Sequence, residues 1–326
     1  MDLPKVLPES IPWRSLTDPV AKLGEVPIYD DRLDSLFWID VFGRKLHRTG
    51  WRTGETRTWR MPLAIGSYAL HDDPGHVVVA LQDGIHAFDL DTSALTLLSA
   101  APFDTARQRF NDGRCDPQGR FWVGTMRLPH AGLPNGSGHF YRQTDSELSA
   151  EIDGVTVANG IAFSPGGDTM YLADRVNARL LAYDFDGDAG TVSGERVFAS
   201  VDANLVPDGA AVDDEGGYWI AMFGAGEIHR YTPDGVLDRI LQAPVSTTTM
   251  CAFAGPDLGT MVVTTGRFSL SEDQLGRQPL AGAVLVAEVG ATGIPEPRAQ
   301  LDLRIAGPSQ SSGAPRGSFR GPVEGG

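Results

Sequence analysis

Short runs of aromatic and β-branched residues alternate with polar turns along most of this chain, a pattern typical of β-hairpins. One clear example begins at Asn111 and Asp112, continues through a turn of sequence Asp-Pro-Gln-Gly at 116–119, and ends in an apolar run at 121–125. Proline at the second position and glycine at the fourth suit the backbone angles of a tight turn. The stretch therefore predicts two strands joined by a turn, with polar groups at the entry.

The same arrangement recurs along the chain at a nearly constant interval. Six apolar runs of this kind align 40 to 49 residues apart, on Phe37, Val77, Phe121, Met170, Tyr218 and Met261. A further hairpin signal follows most of them, so each unit holds four short strands. Repeated four-stranded units of this length indicate a six-bladed β-propeller, an all-β fold around a central channel. The alternative, a β-sandwich or two all-β domains, does not explain one period that runs from residue 25 to about 290.

The composition changes outside the repeats and suggests three segments. Residues 1–20 form a proline-broken lead-in, part of which we expect to return and close the last blade. The propeller itself is predicted at 21–304, since a single closed ring can exceed the usual size of a domain. Residues 305–326 are rich in Gly, Ser, Pro and Arg and have little to bury, so we predict a disordered tail there.

The charge balance limits the classes of partner. With 27 basic and 42 acidic residues, the chain has a formal net charge of −15, which repels phosphate backbones and anionic lipids. We therefore expect no nucleic acid and no membrane as partners, whereas a cation or a neutral small molecule is admissible. The first residues lack the features of a signal peptide, which predicts a cytoplasmic protein. Whether it is a monomer or a small homo-oligomer is left open by the sequence. The two cysteines, Cys115 and Cys251, are predicted to be packed thiols.

The period also locates polar residues that face the channel. The first strand of each propeller blade lines the channel, so the residues just before these strands should point at the axis from one height. Counting back 10 to 12 residues from the aligned runs reaches an oxygen-bearing residue in blades one, three, four and five, namely Glu25, Asn111, Asn159 and Asp208. The same step in blades two and six reaches the apolar positions Ile65-Gly66 and Met250.

Two carboxylates and two amides at one height form a site of hard oxygen ligands. Such ligands favour Ca²⁺, Mg²⁺ or Mn²⁺ over metals selected by thiolate or imidazole. Because the site is open, it admits Zn²⁺ or Fe²⁺ as well. The alternative is that Asn111, Asn159 and Asp208 are ordinary turn residues, because Asn-Gly and Asp-Gly are common hairpin signals. Their shared register favours a metal site in the channel.

Motifs that resemble a known family are spread over roughly residues 21–303. They are Leu23-Gly24-Glu25-Val26-Pro27, Trp38-Ile39-Asp40, Arg109-Phe110-Asn111-Asp112-Gly113 with Thr125-Met126, Ala158-Asn159-Gly160-Ile161-Ala162-Phe163-Ser164-Pro165, Pro207-Asp208-Gly209 and Gly255-Pro256-Asp257-Leu258. In these motifs the chain is similar to the senescence marker protein/gluconolactonase family, which includes regucalcin and bacterial sugar lactonases. The resemblance implies a six-bladed propeller with one divalent metal ion in its channel.

The resemblance also implies roles for individual residues. Glu25, Asn159 and Asp208 correspond to the metal ligands of the family, and Asn111 to a position beside the metal or the substrate. Arg109 corresponds to a residue that binds substrate hydroxyls or carbonyl, which suits its five fixed donors. The implied activity is metal-dependent hydrolysis of an aldonolactone, with Asp208 as the candidate to steer or take the proton of the attacking water. The alternatives are another metal-dependent propeller hydrolase, such as a broad lactonase or phosphotriesterase, and a non-catalytic ion- or ligand-binding propeller.

Two departures from the family pattern concern the choice of substrate. Val26 stands where the family usually has a glycine after the metal-binding glutamate, which would narrow the backbone turn there. The loop of sequence Arg127-Leu128-Pro129-His130 stands where relatives often place an acidic substrate contact. His130 is the one histidine expected at the channel mouth.

Overall fold

The computed structural model describes residues 6–145 and 147–303, which form six β-sheets arranged as a propeller around a central channel. The all-β, six-bladed fold predicted from the repeats is confirmed. Residues 1–5 of the predicted lead-in and the tail predicted at 305–326 lie outside the described residues.

The strands follow one another in blade order. Two short strands come first, β1 (Pro8–Ser10) and β2 (Arg14–Ser15). Blade one contains β3 (Gly24–Asp30), β4 (Ser35–Asp40), β5 (Lys45–Gly50) and β6 (Thr56–Arg60), and blade two contains β7 (Ile65–Leu70), β8 (His76–Leu81), β9 (Gly84–Asp89) and β10 (Leu95–Ala100). Blade three contains β11 (Gln108–Cys115), β12 (Phe121–Arg127), β13 (Gly138–Gln143) and β14 (Leu148–Val155), and blade four contains β15 (Ala162–Phe163), β16 (Thr169–Asp174), β17 (Arg179–Asp186) and β18 (Thr191–Ser200). Blade five contains β19 (Pro207–Val212), β20 (Tyr218–Met222), β21 (Glu227–Tyr231) and β22 (Leu237–Gln242), and blade six contains β23 (Thr248–Ala254), β24 (Thr260–Thr265) and β25 (Leu285–Glu288), with helix α1 (Glu272–Arg277) before β25.

Within the part of the chain that is described, no helix has the length and apolar character of a membrane span.

The N-terminal segment closes the ring. β2 pairs antiparallel with β25, with Arg14 opposite Val286, and so supplies the fourth strand of blade six. β1 pairs parallel with β22 and adds a fifth strand to blade five. Because the two ends of the propeller meet in one sheet, blade six cannot separate from its neighbours without breaking backbone hydrogen bonds.

A strap formed by residues 293–300 crosses one end of the channel. It pairs with Asp213 through Gly293 and with His71 through Ala299, at the ends of the first strands of blades five and two. Within the strap, Glu296 forms an ion pair with Arg114, whose Nε lies 3.1 Å from the Glu296 carboxylate. A cavity of about 690 Å³ lies beneath the strap. The starts of the first strands lie at the opposite end, which we call the mouth.

Buried aspartates fasten the hairpin turns to the core in blades three and five. Asp213 Oδ2 accepts hydrogen bonds from Trp219 Nε1 at 2.8 Å and from Arg230 Nε at 2.7 Å. Asp116 Oδ2 accepts the equivalent bond from Trp122 Nε1 at 3.0 Å. Both aspartates and both tryptophans are completely buried. The turn residues that signalled the repeat in the sequence therefore also hold the largest side chains of the core in place.

The first strands have irregular backbone at the mouth, and this irregularity positions the candidate site. The pairing of first and second strands shifts register at five places, between Glu25 and Ile28, Ile65 and Ser67, Phe110 and Gly113, Pro207 and Ala210, and Thr248 and Met250. In blade four, β15 begins only at Ala162, and Asn159 precedes it, followed by Gly160 with a φ of +69°. Such bulges redirect side chains, often beside active sites.

We predict that Asp213→Ala lowers the free energy of unfolding by about 3 kcal/mol, because it leaves the buried Nε–H of Arg230 and the buried indole N–H of Trp219 without their acceptor. Asp214→Ala is the matched control, since the neighbouring aspartate is exposed and should change stability by less than about 0.5 kcal/mol. Urea unfolding of both variants measures the difference. Equal stabilities would show that the buried hydrogen bonds do not support the blade.

Candidate metal and substrate site

The four predicted oxygen-bearing residues lie together at the mouth of the channel. Glu25, Asn111 and Asp208 lie in the register shifts of β3, β11 and β19, and Asn159 lies in the turn before β15. The Nδ2 group of Asn111 donates hydrogen bonds to Asn159 Oδ1 at 2.9 Å and to the carbonyl of Ala158 at 2.8 Å. Blades three and four are thus linked directly through the two predicted amides.

Arg109 extends this chain of hydrogen bonds. Its Nη1 donates to Asn111 Oδ1 at 2.8 Å and to the carbonyl of Phe110 at 2.8 Å. The Arg109 side chain is buried, and burial lowers its pKa to about 10, although the negative charges of Glu25 and Asp208 oppose that effect. Its Nε and Nη2 groups make no hydrogen bond to the described residues. The guanidinium therefore retains donors for a ligand.

Glu25 and Asp208 are two carboxylates that lack a direct partner. Neither accepts a hydrogen bond or forms an ion pair with the residues that the structure describes. Burial raises the pKa of Glu25 well above its ordinary value, and the charges of Asp208 and Asp112 raise it further, while Arg109 opposes them. The pKa of Asp208 is raised by burial and by Asp112, and is lowered in part by Arg175 and Arg109. In both cases the cause is a desolvated negative charge beside another.

Asp112 is a third carboxylate that the sequence reasoning missed. It is only 6% exposed; its Oδ2 accepts a hydrogen bond from the Ile161 N–H at 3.2 Å, while its Oδ1 has no partner among the described residues. Burial raises the pKa of Asp112 to about 6, with Arg114 opposing the shift. The sequence reasoning missed Asp112 because, in a regular strand, neighbouring side chains point to opposite faces and only Asn111 would face the channel. In a bulge, two neighbouring residues can both face it.

An aromatic rim also lines the mouth. It consists of Phe42, Phe223 and Phe268, which follow the second strands of blades one, five and six. The ring centroids of Phe42 and Phe268 are 5.0 Å apart, and those of Phe223 and Phe268 are 5.9 Å apart. Phe42 is 45% exposed and Phe268 is 51% exposed, which is unusual for phenylalanine. The side of the mouth formed by blades five, six and one is therefore apolar.

The donor set fits a divalent cation. Glu25, Asn159 and Asp208 offer hard oxygen atoms, and a cation would neutralise two carboxylates that accept no hydrogen bond and form no ion pair within the described structure. Among residues 6–145 and 147–303, no group of three or more His, Cys, Asp or Glu side chains has the spacing to hold a metal ion. The predicted set differs from such a group because one of its three members is an amide.

The remaining predicted residues have simpler surroundings. His130 lies exposed in the loop after β12, and no contact links it to the channel residues. Arg107 and Arg127 hold that loop by donating to the carbonyls of Ala131 and Leu133. Cys115 and Cys251 are buried free thiols, as predicted.

Comparison with known proteins identifies the class. The propeller fold is shared with regucalcin from Agrobacterium tumefaciens, described as a calcium-binding protein; the two structures agree with a TM-score of 0.85 at 29% identity, over 90% of this chain and 98% of that one. A sequence model of the SMP-30/Gluconolactonase/LRE-like region matches residues 23–267. The chain belongs to this family, which confirms the resemblance recognised in the sequence.

Two relatives are named for an activity. This chain is 39% identical to a 6-deoxy-6-sulfogluconolactonase of Pseudomonas putida over 84% of its length and 94% of the relative. It is 35% identical to an L-arabinolactonase of Azospirillum brasilense over 86% of its length and 92% of the relative. Lactonases are carboxylic ester hydrolases, so the predicted enzyme class agrees with the family.

Val26 stores backbone strain directly beside Glu25. Its φ of +49° lies in the left-handed region, which β-branched residues rarely adopt, and its side chain is 2% exposed in the core between blades one and two. The left-handed conformation costs roughly 1–2 kcal/mol for a residue with a Cβ atom, and a buried valine contributes roughly 1.5–3 kcal/mol. The apolar packing of Val26 therefore offsets the strain.

From this balance we expect that, at position 26, the glycine variant is more stable than the alanine variant, the reverse of the usual order in a strand. Val26→Ala loses the packing and keeps the strain, whereas Val26→Gly loses the packing and relieves the strain, so the glycine variant should be more stable by about 1 kcal/mol. At Ile28, which is also buried and has no positive φ, alanine should be more stable than glycine. Thermal unfolding of the four variants measures both orders, and a more stable Val26→Ala would show that position 26 is not strained.

The raised pKa of Asp112 predicts how the stability of the protein depends on pH. Its pKa is higher in the folded protein, at about 6, than its ordinary value of 3.8, so its stabilising contribution is complete below 3.8 and is lost as the pH rises through 6. Without metal, the stability of the wild type should fall relative to Asp112→Asn by roughly 2 kcal/mol between about pH 4.5 and 7.5. Urea unfolding at both pH values measures this change, and the exposed substitution Asp91→Asn serves as the control. Parallel pH profiles for wild type and Asp112→Asn would contradict the assignment.

Proposed function

We propose that this protein hydrolyses a sugar lactone, opening the ring of an aldonolactone to give the aldonic acid. The observation that supports this most is the pair of unpartnered carboxylates, Glu25 and Asp208, at the same mouth as the chain of Arg109, Asn111 and Asn159. The names of the two relatives refer to a sulfonated gluconolactone and to L-arabinolactone, and both compounds are cyclic esters of sugar acids.

We infer that Glu25, Asn159 and Asp208 hold one divalent metal ion. Calcium is the first choice, because all three donors are hard oxygens and the related regucalcin is described as calcium-binding. Mg²⁺, Mn²⁺, Zn²⁺ and Fe²⁺ are the ions to compare with it. When bound, such an ion supplies a Lewis acid that polarises a lactone carbonyl and lowers the pKa of nearby water.

The side chains around that position have complementary roles in the proposal. Arg109 donates from its unused nitrogen atoms to substrate oxygens, and Asn111 fixes Arg109 through their hydrogen bond. Asp208 accepts the proton of the attacking water. The water oxygen forms a bond to the carbonyl carbon, the ring C–O bond breaks, and the ring oxygen leaves as a hydroxyl group after taking up a proton.

Access follows from the two ends of the channel. The strap covers one end, so the substrate enters at the mouth. There it packs its C–H face against the aromatic rim, since most ligand sites have apolar walls.

A cytoplasmic location and a monomeric or small homo-oligomeric state stay predictions from the sequence.

The activity is tested with metal-stripped protein to which each divalent ion is restored in turn. We expect ring opening of pentono- or hexonolactones with at least one ion, and no comparable turnover of aryl phosphotriesters. Hydrolysis of phosphotriesters alone would favour another propeller hydrolase. Tight ion binding without any turnover would favour a non-catalytic binding protein.

The proposed metal ligands generate a further prediction. Glu25→Gln and Asp208→Asn should each weaken metal binding at least tenfold, because each removes a charged ligand, and both should still fold since the core between blades is apolar. At saturating metal, Asp208→Asn should remain less active than Glu25→Gln, because it also removes the proton acceptor. Calorimetry and lactone assays measure these effects, with the exposed Glu55→Gln as control. Wild-type metal affinity in either variant would contradict the ligand set.

A further inference from the structure

Arg175 lies at the mouth beside the candidate metal site. It directly follows β16, and the N–H of Ala173 near the end of that strand donates to the carbonyl of Asn159 at 2.9 Å. The end of β16 is therefore held against the segment that carries a proposed metal ligand. The positive charge of Arg175 is near enough to Asp208 to lower the pKa of that carboxyl group.

Unlike the other arginines of the mouth, Arg175 has a side chain with no partner among the described residues. Arg107, Arg109 and Arg127 each donate side-chain hydrogen bonds to backbone or side-chain oxygens. The Arg175 carbonyl accepts a bond from the Ala178 N–H, but its exposed guanidinium makes no hydrogen bond, ion pair or aromatic contact with the described residues. The adjacent Asp174 pairs with Arg179 instead and also accepts hydrogen bonds from Asn177.

In the proposed metal-bound site, the positive charge of Arg175 would have no carboxylate left to balance it. Arg109 together with a divalent ion would balance the three carboxylates of Glu25, Asp112 and Asp208. Deeper in the channel, Arg114 is balanced by Glu296. Arg175 thus adds a positive charge at the entrance of a protein whose net charge is −15. Such a local field attracts anions and raises their concentration at the site.

Space for a ligand group adjoins this arginine. Arg175 lines a cavity of about 390 Å³ between blades three and four, together with polar residues such as Asn135, Thr156 and Asn177. Glu195 in the same cavity accepts a hydrogen bond from Tyr183, and Asp153 pairs with His139. Asp174 and Arg179 also line the cavity and form an ion pair with each other, so Arg175 is the arginine of this cavity whose side chain has no pair in the described structure.

We propose that Arg175 binds an anionic group of the lactone substrate, so that this protein prefers sugar lactones with a sulfonate, phosphate or carboxylate remote from the ester. The proposal rests on the proposed lactonase function and names the substrate class within it. A guanidinium suits these groups because its parallel N–H donors match two oxygens of a planar or tetrahedral anion.

The test compares two substrates that differ only in the phosphate group at C6, gluconolactone and 6-phosphogluconolactone. We expect the wild type to have a kcat/KM at least tenfold higher for the phosphorylated lactone. Arg175→Gln should lose most of that preference, with kcat/KM for gluconolactone changed less than twofold, and Arg175→Lys should restore part of it. Arg196→Gln is the matched control, because Arg196 is exposed on the outer strand β18 of the same blade. Equal losses on both lactones, or no loss on either, would overturn the proposal.

A binding measurement separates this proposal from the lactonase function. Calorimetry with 6-phosphogluconate on the metal-loaded protein should give a dissociation constant at least tenfold larger for Arg175→Gln than for the wild type, and the difference should shrink at high salt. If neither lactone is hydrolysed, the proposed function fails and the calorimetric result alone decides the role of Arg175. Equal affinities of the two proteins would then overturn that role as well.

Discussion

Repulsion between three carboxylates is the constraint on which the rest of this site depends. Glu25, Asp112 and Asp208 come from three different blades and share one end of a narrow channel, where burial raises the pKa of each. Like charges in such a place separate unless the scaffold holds them or a cation neutralises them. The propeller holds them, because its blades are packed against one another and the ring is closed by β2 in blade six.

The closed ring also explains how strained backbone persists at the mouth. Five first strands shift register there, and Val26 adopts a left-handed conformation beside Glu25. Strain of this kind persists only where the surrounding packing determines the conformation. In this protein the packing is supplied by apolar clusters between blades, one of which includes Val26 itself, and by buried aspartates such as Asp213.

The mouth is chemically asymmetric. The aromatic rim covers blades five, six and one, whereas Arg109 and Arg175 lie on blades three and four. A ligand placed over the carboxylates would contact apolar surface on one side and guanidinium groups on the other. An acidic overall composition is therefore compatible with the anion site proposed at Arg175, because the field at a short distance depends on the nearest charges rather than on net charge.

The sequence by itself determined the fold class, the number of blades and the height at which Glu25, Asn111, Asn159 and Asp208 would lie. These features follow from local turn chemistry and from a repeat period, both of which are readable from neighbouring residues. Only the tertiary structure decided that Asp112 also faces the channel, that three phenylalanines from separate blades meet in a rim, and that Arg175 lacks a partner while nearby arginines are engaged. Each of these depends on bulges and on contacts between residues distant in the chain, and periodicity contains no information about either.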